Sequence, residues 1–485
     1  MQRVYECIDR LINYAENNLC LDKRNEDFVR NGIFRLFGLD AYSEQTVKVA
    51  KTEDKTPEKL LNDFVDACIQ AKLFEASESE YYCDAVMGEL MLSPKDIEDK
   101  FYDLSAKQGN FSAMNWFYDY CVKSDYVKKA KLDANPRFEA NGLVVTINKA
   151  KPEFRDPKKA VSGNSTKGGY PKCSICHSNE GFAGRSKRTL RSINITLGSQ
   201  PWFWQYSPYG YFREHGIAVN YEHIPMHVDK SAFARLMDFV DMFPHYFIGC
   251  NAALPRIGGS VLAHDHYQGG GEILPMHRAG AVYTLRHGDF PDAIIEVVDW
   301  QGTVVRVVSR NRDTVTELSD IIRKAWVTYD NPALGIIHED GDGIHNAVSP
   351  TVVKTERGYE MNLILRSNIT SEEYPDGVFH AHPEYHVIKK ESIGLIEAQG
   401  LFILPGRLEK ELCEIEQIIA SKKQLPPEYA EFKLVYDEVK AMGGDVHEAM
   451  QRELGSICAR ILENTAVFKD KMQTVEFLKD LGFAI

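Results

Sequence analysis

Gly258-Gly259-Ser260-Val261-Leu262-Ala263-His264-Asp265-His266-Tyr267-Gln268-Gly269-Gly270-Gly271 is the stretch from which the rest of the chain can be read. Strand alternation places His264, His266 and Gln268 on one face. Glycines at both ends let a backbone or a ligand approach closely. A neutral imidazole is a competent nucleophile near pH 7, and it attacks phosphorus without prior deprotonation by a base. A carboxamide beside it can hydrogen-bond non-bridging phosphate oxygens without moving protons. That suits phosphoryl transfer, where positioning and charge stabilisation dominate. The plainer alternative is a structural histidine pair in a strand. The third polar residue in register and the paired glycine flanks weigh against it, so His266 is the candidate nucleophile and Gln268 its partner.

The sequence around this motif is of mixed type. Upstream, RSINITLG, the aromatic run PWFWQYSPYGYF and GIAVNYEHIP precede a helical SAFARLMDFVDMF and a strand-like YFIGCNAAL. Downstream, AIIEVVDW, TVVRVVSR, ALGIIH, YEMNLILR and GLFILP enclose the helix-like VTELSDIIRKAWVTY. The order strands, helix, strands thus recurs, which suggests a duplicated half without a residue-level repeat. Before residue 138 apolar residues fall at helical spacing, as in FVRNGIFRLFGL, where Phe28, Ile33, Leu36 and Phe37 would share a face. PEKLLNDFVDACIQAKLF and SPKDIEDKFYDLSAKQ open with helix-start signals. After Arg407 the pattern is helical again. The expected fold class is α+β: a helical region 1–138, mostly antiparallel halves 139–280 and 281–405 with packed helices, and a helical region 406–485.

The 485 residues suit about three domains. The net charge of −13, with no basic tract, argues against a nucleic-acid partner. MQRVYECIDRLINYAENN has acidic residues and no apolar core, so it does not read as a signal peptide, and no run is long enough to span a membrane. The expected location is the cytoplasm. Eight of the ten cysteines stand alone and read as buried thiols.

Cys173 and Cys176 form a C-x-x-C knuckle able to give two thiolates to one tetrahedral zinc. Without a second knuckle, the remaining ligands must be histidines. His223, His227 and His264 are the candidates downstream, while His177 reads as exposed. The βαβ context of a redox C-x-x-C is absent. A further cluster, Phe379-His380-Ala381-His382-Pro383-Glu384-Tyr385-His386, is followed by Lys389 and Lys390 and suits either a metal or a sugar phosphate with a lysine counter-charge. The aromatics of residues 202–212 read as core rather than as a base-stacking platform.

H-x-H-x-Q with an upstream C-x-x-C and an intervening histidine resembles the galactose-1-phosphate uridylyltransferases, a branch of the histidine-triad superfamily. The AHDHYQGG form, the helical N-terminal region and the length resemble the longer branch found mainly in Gram-positive bacteria. The resemblance covers nearly the whole chain. The shorter branch has proline where Asp265 stands. The resemblance implies two histidine-triad-like halves, His266 as the uridylylated nucleophile and Gln268 as the phosphate-contacting amide. It implies zinc at Cys173, Cys176, His227 and His264, and uridine-side contacts from Asn194 and Asn251. A phosphate contact falls on Ser260, and a basic nucleotide contact near Lys149 or Arg155. Lys390 and the Ile393-Gly394-Leu395-Ile396-Glu397 segment would hold the hexose. His380 and His382 match a second-metal pair, with His277 and His345 as candidates to complete it. The implied activity is uridylyl transfer from UDP-glucose to galactose 1-phosphate in the Leloir route, by a homodimer. The rivals are a dinucleoside-polyphosphate phosphorylase, a nucleotide hydrolase, or a non-catalytic zinc-stabilised nucleotide-binding module.

Overall fold

The computed structural model describes residues 1–43, 56–149, 169–258 and 261–485. Its centre is one eleven-stranded, wholly antiparallel sheet in the order β16-β8-β9-β10-β14-β13-β6-β7-β5-β4-β3. The first half of that sheet is β3 (Ile193–Leu197), β4 (Gln200–Tyr206), β5 (Gly216–Asn220), β6 (Phe247–Gly249) and β7 (His266–Gly270). The second is β8 (Ala281–His287), β9 (Phe290–Val298), β10 (Val304–Ser309), β13 (Asn346–Thr355) and β14 (Gly358–Ser367). Each half runs first-second-third-fifth-fourth, with one long helix between its third and fourth strands. Those helices are Lys230–Met242 and Arg312–Val327. The duplication suggested by the order of elements is therefore carried by topology. The halves meet through their fourth strands, with Gly249 opposite Thr351 and Ile248 opposite Val352. The fold is α+β.

Both long helices pack on one face of the sheet, here the back. Trp202, Trp204, Tyr267, Ile248, Val352, Met361 and Leu363 point there and share a core with Phe233, Leu236, Leu318 and Trp326. Asp229 and Asn311 cap the two helices through their side chains. The N-terminal region is helical as expected, with Gln2–Asn18, Glu26–Phe37, Glu58–Gln70, Ser79–Leu90, Pro94–Gln108 and Asn110–Lys123. It shares its core with the back of the first half, where Tyr206 donates to the Met114 carbonyl at 3.2 Å. One expected face is corrected. Phe28 is 78% exposed, and Val29, Ile33 and Phe34 form the buried stripe, because Arg30 turns inward to ion pairs with Asp9, Glu26 and Asp27.

The front face is covered unevenly. β1 (Arg137–Ala140), β2 (Leu143–Asn148) and β15 (Leu401–Pro405) form a separate small sheet in which β15 runs parallel to β2. GLFILP thus leaves the second half, where its sequence position put it, and pairs with LVVTIN. This sheet and the helices Leu408–Ala420, Lys433–Met442 and Val446–Thr465 bury Val298, Val304 and Ile364 of the second half. The helix Lys471–Lys479 and β16 (Phe483–Ala484) instead join the back core and the β8 edge. A two-stranded ribbon, β11 (Glu339–Asp340) and β12 (Gly343–Ile344), sits between the Arg312–Val327 helix and β13. Among the described residues no helix is long and apolar enough to cross a membrane.

The joint between halves depends on a missing side chain. A Cβ on Gly249 would lie 2.6 Å from the Pro350 carbonyl oxygen and 2.7 Å from Thr351 Cβ. Gly249→Val should therefore cost about 1–3 kcal/mol and lower Tm by several degrees in a thermal melt. Gly280→Ala, which meets nothing within 4 Å, should leave Tm unchanged.

Candidate active site and metal centre

β7 lies between β5 and β6, so its backbone is paired on both sides. His266 stands opposite Val219, Val219 opposite Phe203, and Phe203 opposite Asn194. Residues facing one another across antiparallel strands project to the same side. One row across the front face is therefore Asn194-Phe203-Val219-His266. Gln268, opposite Ile217, lies in the next row on the same face. Tyr267 points to the back, where it stacks on Trp202 at 4.8 Å and accepts from Arg235 Nε at 2.7 Å. Asp265 meets Arg235 at 3.8 Å, and burial pushes its carboxyl up to about 6.

His266 is 6% exposed. Its Nδ1–H donates to the backbone carbonyl of His264 at 2.7 Å, and its Nε2 has no hydrogen-bond partner among the described residues. The lone pair is thereby left on Nε2. Burial pushes the ring below its ordinary pKa, against an opposing pull from the His264 carbonyl, so at neutral pH the imidazole is uncharged. Gln268 is half-buried on the same face. His215, one residue before β5, faces it, and burial pushes that ring down to about 4. Sequence reading passed over His215, although alternation back from Val219 and Ile217 places it on this face.

The glycines after the motif make room for protein. A Cβ on Gly269 would lie 2.1 Å from the Phe247 carbonyl oxygen, and one on Gly270 would lie 2.5 Å from the Phe212 ring. They allow β6 and the 212–214 segment to close on β7.

Cys173, Cys176, His223 and His264 converge, with all four donor atoms within 4.8 Å of one another. Sγ of Cys173 is 3.4 Å from Sγ of Cys176 and 3.3 Å from His264 Nδ1, and Cys176 Sγ is 3.2 Å from His223 Nδ1. Donors about 2.0–2.3 Å from a tetrahedral zinc lie about 3.3–3.8 Å apart, so this set fits the ion. Burial pushes the Cys173 thiol up to about 11; a bound cation would supply the charge that holds it as thiolate. The outer contacts are built as well. His264 Nε2–H donates to the Asn220 carbonyl at 2.8 Å, which aims Nδ1 at the cluster. The Asn179 amide donates to the carbonyls of Cys173 and Cys176, both at 2.8 Å.

His227 is a correction. The chain after β5 is tied to the motif by Asp265 N to Ile224 O and by Met226 N to Leu262 O. This holds the His223 ring 4.5 Å from that of His264 and leaves His227 exposed beyond the buried Met226. The second-metal pair is also corrected. The His382 ring stacks on Tyr374 at 4.2 Å and its Nε2 meets the Val378 carbonyl at 3.2 Å, while His380 is buried with Nδ1 at 3.1 Å from the Ala381 carbonyl. Among the described residues they join no group of three candidate ligands. His277 is engaged by Gln399 and His345 by Asn368.

The remaining candidates divide. Asn194 is exposed on the front row and its side-chain oxygen accepts from the Tyr221 hydroxyl. His177, Phe203 and Tyr221 gather beside it with ring centres 4.7–5.2 Å apart. Of the aromatic run, Phe203 alone on β4 faces the front; Trp202, Trp204 and Tyr206 are back-face core. Asn251 is buried just past β6 and accepts from Leu395 N at 2.8 Å. Lys390 is exposed, whereas Lys389 is 1% exposed and bonded to Glu397 and to the Ile403 carbonyl. Lys149 pairs with Glu409. Ser260 and Arg155 lie outside the described residues.

Two family models match the chain: the N-terminal domain of galactose-1-phosphate uridyl transferase over residues 26–225, and the C-terminal domain over residues 239–431. The chain belongs to the galactose-1-phosphate uridylyltransferase family. Membership makes it a transferase. Across all of this chain and 99% of the relative, it is 54% identical to a galactose-1-phosphate uridylyltransferase of Bifidobacterium longum. It is 34% identical to one of Clostridium perfringens, covering 99% of this chain and 98% of that protein. It is 35% identical to one of Streptococcus mutans, covering 98% and 99%. Among solved structures, yeast Ap4A phosphorylase aligns over 68% of this chain and 92% of its own at 10% identity and a TM-score of 0.35. Cys173, Cys176 and His223 lie in the first matched stretch and His264 and His266 in the second, and the His223–His264 contact brings the two together.

Metal analysis of the purified protein should find about one zinc per chain. His223→Ala should lose that zinc and melt several degrees lower, because metal and fold are linked. His227→Ala should keep both the zinc and the Tm.

Proposed function

We propose that the protein moves a uridylyl group from UDP-glucose to galactose 1-phosphate through a covalent intermediate on His266. Nε2 of His266 attacks the α-phosphorus. A P–N bond forms, the P–O bond to the β-phosphate breaks, and glucose 1-phosphate leaves with the electron pair. The proton on Nδ1 stays in its bond to the His264 carbonyl throughout. A phosphate oxygen of galactose 1-phosphate then attacks the same phosphorus. The P–N bond breaks, UDP-galactose is released, and the lone pair returns to Nε2. Gln268 supplies N–H donors to the non-bridging oxygens where negative charge accumulates. The nucleoside lies along the front row toward Asn194 and the Phe203–Tyr221 pair. Zinc at Cys173, Cys176, His223 and His264 would fix the knuckle to the motif and take no part in bond making. The setting we assign is a cytoplasmic homodimer acting in galactose metabolism.

The observation that carries this reading is the buried His266 ring held at Nδ1, with its Nε2 unpartnered among the described residues. Transfer to water would need a group that removes a proton, and the amide of Gln268 cannot do so. That favours sugar-phosphate transfer over hydrolysis. Incubation with UDP-glucose labelled in the uridylyl phosphate should leave acid-labile label on one histidine. His266→Gly should take no label and lose on the order of 10^4-fold or more in exchange. Gln268→Ala should still take label, with kcat reduced about 10^2–10^3-fold. Full exchange by His266→Gly without label would end the proposal.

A further inference from the structure

The His264 carbonyl fixes which nitrogen of His266 carries the proton. Gln268 has the corresponding ambiguity. A carboxamide presents a C=O and an NH2 of nearly equal size, and only its surroundings decide which end faces a ligand. Turned one way, Gln268 offers N–H donors to phosphate oxygens. Turned the other way, it sets an oxygen against oxygens that carry negative charge. A group beside it has to select the productive end.

His215 is placed to do so. Val219 and Ile217 of β5 stand opposite His266 and Gln268. One residue before β5, His215 continues that alternation on the front face, and its carbonyl keeps up the pairing by accepting from Ser207 N at 2.9 Å. It therefore sits diagonal to Gln268, a separation that long side chains span. Two rings fix its place: Tyr211 is stacked on it at 5.0 Å, and Phe212 lies at 4.7 Å. Room for the Phe212 ring comes from Gly270, where a Cβ would lie 2.5 Å from it.

His215 is 5% exposed, yet neither ring nitrogen has a hydrogen-bond partner of good geometry among the described residues. Buried polar side chains are normally satisfied. Packing alone does not account for an imidazole here, because a phenyl ring would fill the same stack without burying two polar nitrogens. Burial keeps the ring uncharged at neutral pH, so one nitrogen carries a hydrogen and the other a lone pair. The side chain that bears on those nitrogens is Gln268, and its influence favours the protonated ring, as an accepting amide oxygen does.

We propose that His215 is the positioning residue for Gln268: its ring N–H donates to Gln268 Oε1 and so turns the amide NH2 toward the α-phosphate. The proposal rests on the uridylyl-transfer reading above and adds to it a residue that acts through the amide alone. Hydrogen bonds of this kind tighten as substrate engages. A phosphate oxygen on the NH2 polarises the amide and strengthens the bond its oxygen accepts from His215.

A double-mutant cycle on the rate of uridylyl labelling tests this. At saturating UDP-glucose, His215→Phe, which keeps the ring stack and lacks an N–H, should be labelled about tenfold more slowly than wild type. His215→Gln, which restores an N–H, should recover part of that rate. In a Gln268→Ala background His215→Phe should slow labelling no further, since no amide is left to position. A purely structural role would slow both backgrounds by the same factor. A wild-type rate in His215→Phe, or the same loss in both backgrounds, overturns the His215 assignment and leaves the transfer reading standing. Absence of label on wild type overturns both. Should His215→Phe not fold, His215→Leu, which also lacks an N–H, takes its place in the cycle.

Discussion

His264 is the residue on which the site depends, because its two ring nitrogens and its carbonyl each face a different partner. Its ring Nδ1 enters the cysteine cluster, its Nε2–H is held by the Asn220 carbonyl, and its own carbonyl takes the Nδ1 proton of His266. Rotation of that peptide would release the tautomer of His266 and the knuckle together. In the proposed reaction this lets the candidate metal site sit two residues from His266 without taking part in its chemistry. An imidazole has two nitrogens that are easily exchanged in role. Fixing which one carries the proton requires an acceptor that cannot move, and a peptide carbonyl whose own side chain is held at both ring nitrogens is one.

The strand carrying His266 is fixed from its other side by the absence of side chains. Gly269 and Gly270 allow the Phe247 carbonyl and the Phe212 ring to come closer than any Cβ would permit. His266 therefore stands on an interior strand with both hydrogen-bonding edges occupied, backed by Tyr267 stacked on Trp202. A rigid element of this kind lowers the reorganisation needed as charge develops on phosphorus. Burial of the imidazole has the same direction of effect, since it disfavours the protonated ring that would be useless as a nucleophile.

Much of this was legible in the residues. Period-two alternation gave the shared face of His266 and Gln268, although His264 falls in the bend before β7, C-x-x-C gave half of the candidate metal set, and the repeated strand-helix-strand order gave the two halves. What failed did so where contacts distant in sequence decide. His227 and His223 look equivalent as letters. Only the pairing of residues 224 and 226 with 265 and 262 shows which ring reaches the thiols. The H-A-H pair looks like a ligand pair, but its rings are taken by Tyr374 and by backbone carbonyls. GLFILP reads as one more strand of its neighbours, and its parallel partner lies more than 250 residues upstream. Phe28 was misplaced because helical spacing does not reveal that Arg30 is drawn inward by three acids. His215 carries no motif at all and becomes visible only once the register of β5 against β7 is known.

The duplicated sheet has been put to unequal use, and burial shows how. In the first half the front face keeps an exposed Asn194 and a half-buried Gln268 beside His266. In the second half the same face is covered by the small sheet and three C-terminal helices. The cover is not apolar throughout. It encloses Arg306, Asn362, Thr351, His277 and Gln399 in one hydrogen-bonded network beneath the 393–399 segment. A buried network of this kind is favourable only when its members are satisfied, and these are mutually satisfied. Arg366 lies one step outside it, under the same segment, and its Nε and Nη1 have no hydrogen-bond partner among the described residues.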